Sequence, residues 1–332
     1  MHLKVRKNSG ETIRQQLIAA GVLDYSRRIQ SDGDFILIPV TDAVNIPDTE
    51  IVEVAGEKLP KKTRSLKDAL KDKLSAEELL LLPTSFDVIG DIAILELPPP
   101  LVDRRKEIGE ALLETFHNLK VVAEKMTRVD TEYRTRGLDV IAGEDRKETV
   151  HREQGCLYRL NVESAYFSPR LGFERLRVAS QVREGERVLV MFAGVGPYAI
   201  LIAKNAKPVE VYAIELNPEA FKYMVENIRV NKVDVKPILG DAGEEVRALG
   251  KFDRIIMPLP KDAGSFLDSA LPALKAGGII HLYDFSSGEE ESTKKAEELC
   301  AKLGYKVRVL EVVRCGSYAP DTARLCVDFQ VI

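Results

Sequence analysis

Short apolar runs recur through the second half of the chain with helix-period segments between them, an alternation that predicts a mainly parallel sheet. The runs are Val188 to Phe192, a second ending on Glu215, a third before Gly240-Asp241, Asp253 to Met257, and Gly278 to Phe285, with a helix expected near Ala263 to Lys275. Two more runs, Lys306 to Val313 and Leu325 to Ile332, are separated only by Arg314 to Arg324. A connection that short favours an antiparallel pair over a crossover, at the edge of the sheet. Near the N-terminus the pattern reads as a strand at Leu3 to Val5, a helix with Ile13, Leu17 and Ala20 on one face, and a strand from Phe35 to Val40. From Ser85, FDVIGDIAILELPPP reads as two short strands about a Gly90-Asp91 turn, stopped by Pro98 to Pro100. A helix follows with Ile108, Leu112, Phe116 and Leu119 on its buried face, then a strand from Val121 to Met126.

These elements divide the 332 residues, too many for one ordinary core, into four parts. Residues 1–56 form a small α/β module, 57–73 a basic linker, 74–165 an α+β middle domain, and 166–332 the Rossmann-like α/β domain. The linker, EKLPKKTRSLKDALKDK, is simplest as a solvated connector; gripping a phosphate backbone is the alternative. The segment from Glu124 to Arg152 carries Lys125, Arg128, Arg134, Arg136, Arg146, Lys147 and Arg152. It reads either as a solvated face or as a nucleic-acid contact, with Arg134 and Arg136 on one face if it is a strand. A net charge of −4 argues against a polyanionic partner for the chain as a whole, but the local distribution decides.

The stretch RVLVMFAGVGPYAILIAKNAKPVEVYAIELNP, beginning at Arg187, carries the most chemistry. It reads strand, Gly-rich turn, helix, strand, acid: Gly194 and Gly196 allow a ligand to lie against bare backbone, and Glu215 can accept both hydroxyls of a ribose. A dinucleotide site would want a third glycine and a helix N-terminus facing a pyrophosphate. Here Pro197 opens the helix and Ala199 ends the motif. Pro suits the first turn of a helix, and a cofactor without phosphates needs only the close backbone approach, so the expected cofactor is S-adenosyl-L-methionine.

Ligands of open α/β sheets sit beyond the carboxyl ends of the strands, so Met257-Pro258-Leu259-Pro260-Lys261 should border the reacting group. Upstream, Tyr166-Phe167-Ser168-Pro169-Arg170-Leu171-Gly172-Phe173-Glu174-Arg175 precedes the cofactor strand. Glu174 beside Arg175 reads as a surface ion pair from pattern alone, and as a general base if it lies at the cofactor mouth. Taking a proton from a ring nitrogen would leave charge on a neighbouring oxygen, which Arg134 or Arg175 could offset.

At these residues the chain resembles the archaeal and eukaryotic tRNA (guanine-37, N1) methyltransferases. The likeness lies in VMFAGVGPY, AIELNP, FSPRLGFER, IMPLPK and SYAP, with YRTRGLDVIAGE and TVHREQG upstream. It implies methyl transfer from S-adenosylmethionine to N1 of guanosine 37 in tRNA, with the N-terminal module touching the outer corner of the tRNA. It further implies Glu174 as general base and Arg134 steadying the guanine O6. Phe192, Ala193, Gly194, Gly196, Glu215, Leu216, Asp241, Ala242 and Arg175 would hold the cofactor; Tyr166, Arg170, Arg136, Pro258, Leu259 and Pro260 would border the substrate. Two positions depart from the family pattern: Val190 stands for its usual Asp and Pro258 for its usual Asn. Related enzymes transfer an aminocarboxypropyl group or methylate a tricyclic derivative of the same guanosine, and a non-catalytic tRNA-binding protein is the remaining alternative.

Composition adds little that conflicts. With no apolar span of membrane length and no cleavable leader pattern, a cytoplasmic enzyme is expected, working as a monomer. Cys156, Cys300, Cys315 and Cys326 read as small buried thiols, with a disulfide among the last three left open. His2, His117, His151 and His281 are isolated in sequence, so no metal is expected.

Overall fold

A computed structural model describes residues 1–332 apart from 25, 45, 55–64, 127–136, 207, 209, 262, 320 and the side chain of Tyr318. The chain divides into two compact units, Met1–Ala69 and Leu70–Ile332. In the first, β1 (His2–Arg6), α1 (Gly10–Ala19), β2 (Gln30–Asp32), β3 (Phe35–Pro39) and β4 (Glu50–Val52) build an antiparallel sheet ordered β2-β3-β1-β4. Leu3, Val5 and Ile38 meet Ile13 and Leu17 of α1 in its core. The helix α2 (Leu66–Leu70) spans the boundary, and residues 57–64 of the basic linker lie outside the described residues.

The second unit opens with α3 (Ala76–Leu81), whose Ser75 and Glu78 form a reciprocal capping box. A four-stranded sheet follows, made of β5 (Asp87–Ile89), β6 (Ile92–Leu95), β7 (Val121–Lys125) and β8 (Leu138–Gly143), with α4 (Arg105–Thr115) crossing over between the parallel β6 and β7. Gly90, at φ 61°, makes the expected turn between β5 and β6. A hairpin of β9 (Glu148–Glu153) and β10 (Cys156–Asn161) then turns at Gln154 and Gly155, both with positive φ as a two-residue hairpin loop requires.

The remaining elements are α5 (Gly172–Gln181), β11 (Arg187–Val190), α6 (Pro197–Asn205), β12 (Glu210–Glu215), α7 (Pro218–Asn231), β13 (Lys236–Leu239), α8 (Ala242–Glu245), β14 (Phe252–Met257), α9 (Leu267–Ala270), β15 (Leu274–Ser286), α10 (Glu289–Lys302), β16 (Val307–Ala319) and β17 (Thr322–Val331). Their seven strands order as β13-β12-β11-β14-β15-β17-β16, the first five parallel. The antiparallel strand is β17, which lies between β15 and the outermost β16. The whole is an α/β, Rossmann-like sheet. Along β11 the side chains alternate by the pleat: Val188 and Val190 enter one core, Leu189 and Met191 the other.

Several elements differ from the pattern-based expectation: α4 ends at Thr115, before Phe116 and Leu119, and the hairpin of β9 and β10 is not among the expected strands. The helix near Ala263 to Lys275 closes at Ala270, because Pro272 cannot continue it and β15 begins at Leu274. Arg314 to Arg324 is mostly strand: three register shifts let β16 and β17 pair almost to their tip.

The hairpin is locked to the large domain by two asparagines one helical turn apart on α7. Asn227 accepts from the Arg159 N–H (2.7 Å) and donates to its carbonyl (3.0 Å). Asn231 does the same to Leu157 (2.9 and 2.7 Å). Carboxamides with one donor and one acceptor each thus stand in for a neighbouring strand along the open edge of β10.

A line of buried ions crosses the sheet floor. Arg254 on β14, 1% exposed, grips both oxygens of Glu186 (2.8 and 3.1 Å), the Gln181 carbonyl (2.9 Å) and the His281 Nε2 (2.7 Å). A guanidinium only donates, so Nε2 must accept, and His281 is neutral with its proton on Nδ1, facing Asp328 at 2.7 Å. Burial, with the Arg254 and Arg177 charges, outweighs Asp328 and holds His281 below its ordinary pKa. Replacing Arg254 with Leu would strand the Glu186 carboxylate and should lower the unfolding free energy by about 3–5 kcal/mol. Urea denaturation measures this, and adding Glu186→Gln should recover part of the loss.

Candidate active site

The carboxyl ends of β11, β12 and β13 meet at the Gly-rich loop. Ala193 donates to the Ile214 carbonyl (2.8 Å), Gly196 to that of Ala193 (3.0 Å), and Gly240 to that of Glu215 (3.0 Å), so the three turns are tied together. Glu215 ends β12 with Oε2 accepting from the Gly194 N–H (2.6 Å) and Oε1 from that of Asn217 (2.8 Å). Each oxygen keeps a free lone pair, the arrangement needed to accept two vicinal hydroxyls. Burial raises the Glu215 pKa against the opposing backbone N–H groups of Asn217, Gly194 and Leu216. Asn217 caps α7 through the Glu219 N–H and holds the Ser164 carbonyl, so the acid sits on a fixed helix start.

Around this carboxylate lie the other expected cofactor residues. Phe192 has φ 57° and meets Phe266 edge-on at 4.8 Å; Leu216 is exposed; Asp241 caps α8 through Gly243 (2.8 Å) and Glu244 (3.1 Å), with Ala242 buried behind it. The position a Cβ on Gly194 would take is 3.6 Å from the Tyr166 carbonyl and otherwise open, so the segment from Tyr166 lies over the loop. The residues therefore fit an adenosine with its ribose on Glu215 and its chain against Gly194.

Glu174 lies in the first turn of α5, 6% exposed, and pairs with Arg177 rather than Arg175. Arg177 is bidentate, Nε to Oε2 at 2.7 Å and Nη2 to Oε1 at 2.8 Å. The Tyr283 hydroxyl donates to Oε1 at 2.6 Å, and Tyr198 donates to Tyr283 at 2.8 Å. Tyr198 immediately follows Pro197, so two hydroxyls link the candidate base to the cofactor loop. Burial pushes both phenols well above their ordinary pKa, which keeps them protonated as donors.

Arg175, next in sequence to Glu174, is paired elsewhere. It is buried on Glu153 of β9 (2.7 and 2.5 Å) and the Ser168 carbonyl (3.0 Å), over the Phe167 ring. An arginine so fully paired braces the Tyr166 to Leu171 segment. Arg170 pairs with Asp87 (2.7 Å), and the Tyr166 hydroxyl accepts from Arg324 (3.2 Å). Pro258 sits in a γ-turn closed by Leu259 N–H to the Met257 carbonyl (2.9 Å); the Leu259 carbonyl is taken by Ala263 (2.9 Å), and Pro260 is buried. Arg134 and Arg136 lie outside the described residues.

Pattern reading misses Arg177, Tyr283 and Asp328. The i, i+3 spacing of Glu174 and Arg177 is the one signal that could have found the first. His281, Cys326 and Asp328 bring ligand atoms within 4.8 Å of one another, yet both imidazole nitrogens are already hydrogen-bonded. All four cysteines are free thiols.

Known proteins share this architecture. Residues 149–309 match the TRM5/TYW2 methyltransferase domain, 66–146 the TYW2 N-terminal domain and 3–48 the tRNA methyltransferase 5 N-terminal domain. A tRNA (guanine(37)-N(1))-methyltransferase Trm5b of Pyrococcus abyssi is 44% identical over 99% of this chain and 98% of its own. The chain belongs to the TRM5/TYW2 methyltransferase family. A solved complex of aTrm5 and tRNALeu matches all of both chains with a TM-score of 0.73 at 36% identity. Methanocaldococcus jannaschii Trm5 in complex with adenosine matches 99% of this chain and 98% of its own, with a TM-score of 0.68 at 35% identity. A tRNA(Phe) (4-demethylwyosine(37)-C(7)) aminocarboxypropyltransferase of the same organism, 34% identical, covers 73% of this chain and 96% of its own. The match to the methyltransferase domain starts within β9, so it includes the hairpin that the two asparagines of α7 lock in place.

The two loop glycines should tolerate a side chain differently. A Cβ on Gly196, at φ 88°, meets Ile200 and Met224 at 3.0 Å, whereas Gly194 at φ 58° has room. Gly194→Ala should therefore cost about 1–2 kcal/mol, from the left-handed backbone alone, and Gly196→Ala distinctly more. Denaturant melts of the two variants test the order.

Proposed function

We propose that this family member is a tRNA (guanine-37, N1)-methyltransferase that takes its methyl group from S-adenosylmethionine. The observation that carries the reading is the buried Glu174 carboxylate, tied through Tyr283 and Tyr198 to the loop that meets Glu215. Support for guanine N1 over aminocarboxypropyl transfer comes from coverage. The Trm5b relative spans the chain with its N-terminal module, while the aminocarboxypropyltransferase relative spans 73% of it.

When bound, S-adenosylmethionine supplies an electrophilic methyl carbon on a sulfonium. Glu215 would accept the ribose hydroxyls and the Gly194 backbone would let the cofactor lie close, with Leu216, Asp241 and Ala242 to border the adenine. In this reading Tyr166, Arg170, Arg136 and the Pro258 to Pro260 loop border the guanine, and Arg134 offsets charge developing on O6, as the resemblance implies. Glu174 would take the proton from N1, so that the nitrogen receiving the methyl group ends neutral. The enzyme works as a monomer in the cytoplasm and uses no metal in this scheme; among the described residues no helix is long and apolar enough to cross a membrane.

With methyl-labelled cofactor, a transcript bearing G37 should be labelled and its A37 counterpart should stay cold. Label arriving only from a carboxyl-labelled cofactor would instead establish aminocarboxypropyl transfer. Glu174→Gln keeps the shape and removes the base, and should slow single-turnover methylation by about 10² or more with tRNA affinity retained.

Glu215 yields a pH dependence of binding. Ribose hydroxyls donate to the ionised carboxylate, and its pKa lies above the ordinary 4.5 because of burial. Cofactor affinity should therefore be full above that raised value and fall as acid protonates the group. Glu215→Gln should bind weakly and lose this dependence, as calorimetry between pH 5 and pH 8 would register.

A further inference from the structure

We propose that Arg177 and Tyr283 are positioning residues that aim Glu174, leaving one lone pair of its Oε2 to receive the N1 proton of the guanine. The inference rests on the reading of Glu174 as the proton acceptor and adds how that acceptor is held. A carboxylate has about four lone-pair sites. Oε1 spends both of its sites, on Arg177 Nη2 at 2.8 Å and Tyr283 at 2.6 Å, and Oε2 spends one on Arg177 Nε at 2.7 Å. A free glutamate rotates broadly about its last torsion, and this one cannot without breaking three charge-assisted bonds.

The clamp itself is fixed with equal care. Arg177 has five N–H donors, and five contacts use them: Nε and Nη2 to Glu174, Nη1 to Asp328 (2.6 Å) and Glu311 (3.2 Å), and Nη2 again to Asp328 (3.3 Å). Asp328 is held by the neutral His281, His281 by Arg254, and Arg254 by Glu186. The direction of one lone pair is thereby referred to three strands of the sheet, β14, β15 and β17. A surface ion pair has no such anchoring.

Charge counting points the same way. Arg254 is balanced by Glu186 and Arg175 by Glu153, so the interior cluster is Glu174 and Asp328 sharing Arg177, with one negative charge left over. One proton neutralises it, which is the change the reaction demands. Among the described residues the titratable and charged groups facing Glu174 are Arg177 on α5, Tyr198 on α6, Tyr283 on β15, Cys315 on β16 and Cys326 on β17, with Glu311 and Asp328 beyond Arg177. Of these the Cys315 thiol, a weak donor, has its hydrogen bond on the Val313 carbonyl at 3.4 Å.

The test uses the full-length enzyme with G37 transcript in single-turnover methylation from pH 5 to pH 9, beside equilibrium binding of tRNA and cofactor. Tyr283→Phe preserves the ring and deletes one bond to the ionised base. It should slow the chemical step about tenfold and move the acidic limb of the rate profile to higher pH, with both dissociation constants unchanged within twofold. Arg177→Lys keeps the charge and loses the fork, and should cost about 10² in rate with little movement of that limb. Should Arg177→Lys not fold, Tyr283→Phe decides alone. Wild-type rates and an unmoved limb in Tyr283→Phe, beside an inactive Glu174→Gln, overturn the positioning role and leave the base in place. A fully active Glu174→Gln overturns the base and the positioning role with it.

Discussion

A single guanidinium, that of Arg177, lies between two carboxylates that the fold has removed from water. Burying an ion costs several kcal/mol unless its hydrogen bonds are complete, and Glu174, Asp328 and Arg177 meet that condition only together. The consequence spreads outward. Asp328 must be on β17 beside β15 for His281 to reach it, and Arg254 must be on β14 to fix the His281 tautomer. The antiparallel insertion of β17 between β15 and β16 therefore supplies the one strand position from which an acid can face both α5 and His281.

The same economy of donors and acceptors appears at the backbone level. Sheet edges and loops expose N–H and C=O groups that must be matched, and this chain matches them with side chains that also position chemistry. Asn227 and Asn231 close the edge of β10, so the end of β9 is held where Glu153 meets Arg175. Glu215 uses one lone pair on each oxygen to order the turns at Gly194 and Asn217. Structure and site are built from the same atoms, so neither can be altered alone.

How much of this was legible follows from which signals are local. The parallel strands were readable because β11, β14 and the core of β15 are apolar on both faces, buried as a parallel sheet demands. The hairpin of β9 and β10 was not: on β9 Thr149 and His151 point inward and Val150 is 42% exposed, which inverts the usual polarity of a half-buried strand. Glu174 was readable as a candidate because it precedes the Gly-rich loop by a fixed motif. Its true partner was not, since a neighbouring Arg175 is the obvious choice in sequence and helical geometry gives the role to the residue three positions on. Tyr283 and Asp328 lie 109 and 151 residues from the side chains they contact, Glu174 and Arg177, and no local pattern encodes that pairing.

Pro258 shows how a departure from a family pattern can be absorbed. Where relatives of the kind this chain resembles carry an asparagine, a proline sits at the centre of a γ-turn, and its ring fixes φ near the value such a turn requires. The flanking carbonyls of Met257 and Leu259 are both taken by N–H groups of the loop itself. An asparagine would recognise a base with a side chain that must first be ordered, at a cost of about 1 kcal/mol in lost rotamers. A carbonyl on a proline turn is ordered before the substrate arrives, though it can only accept.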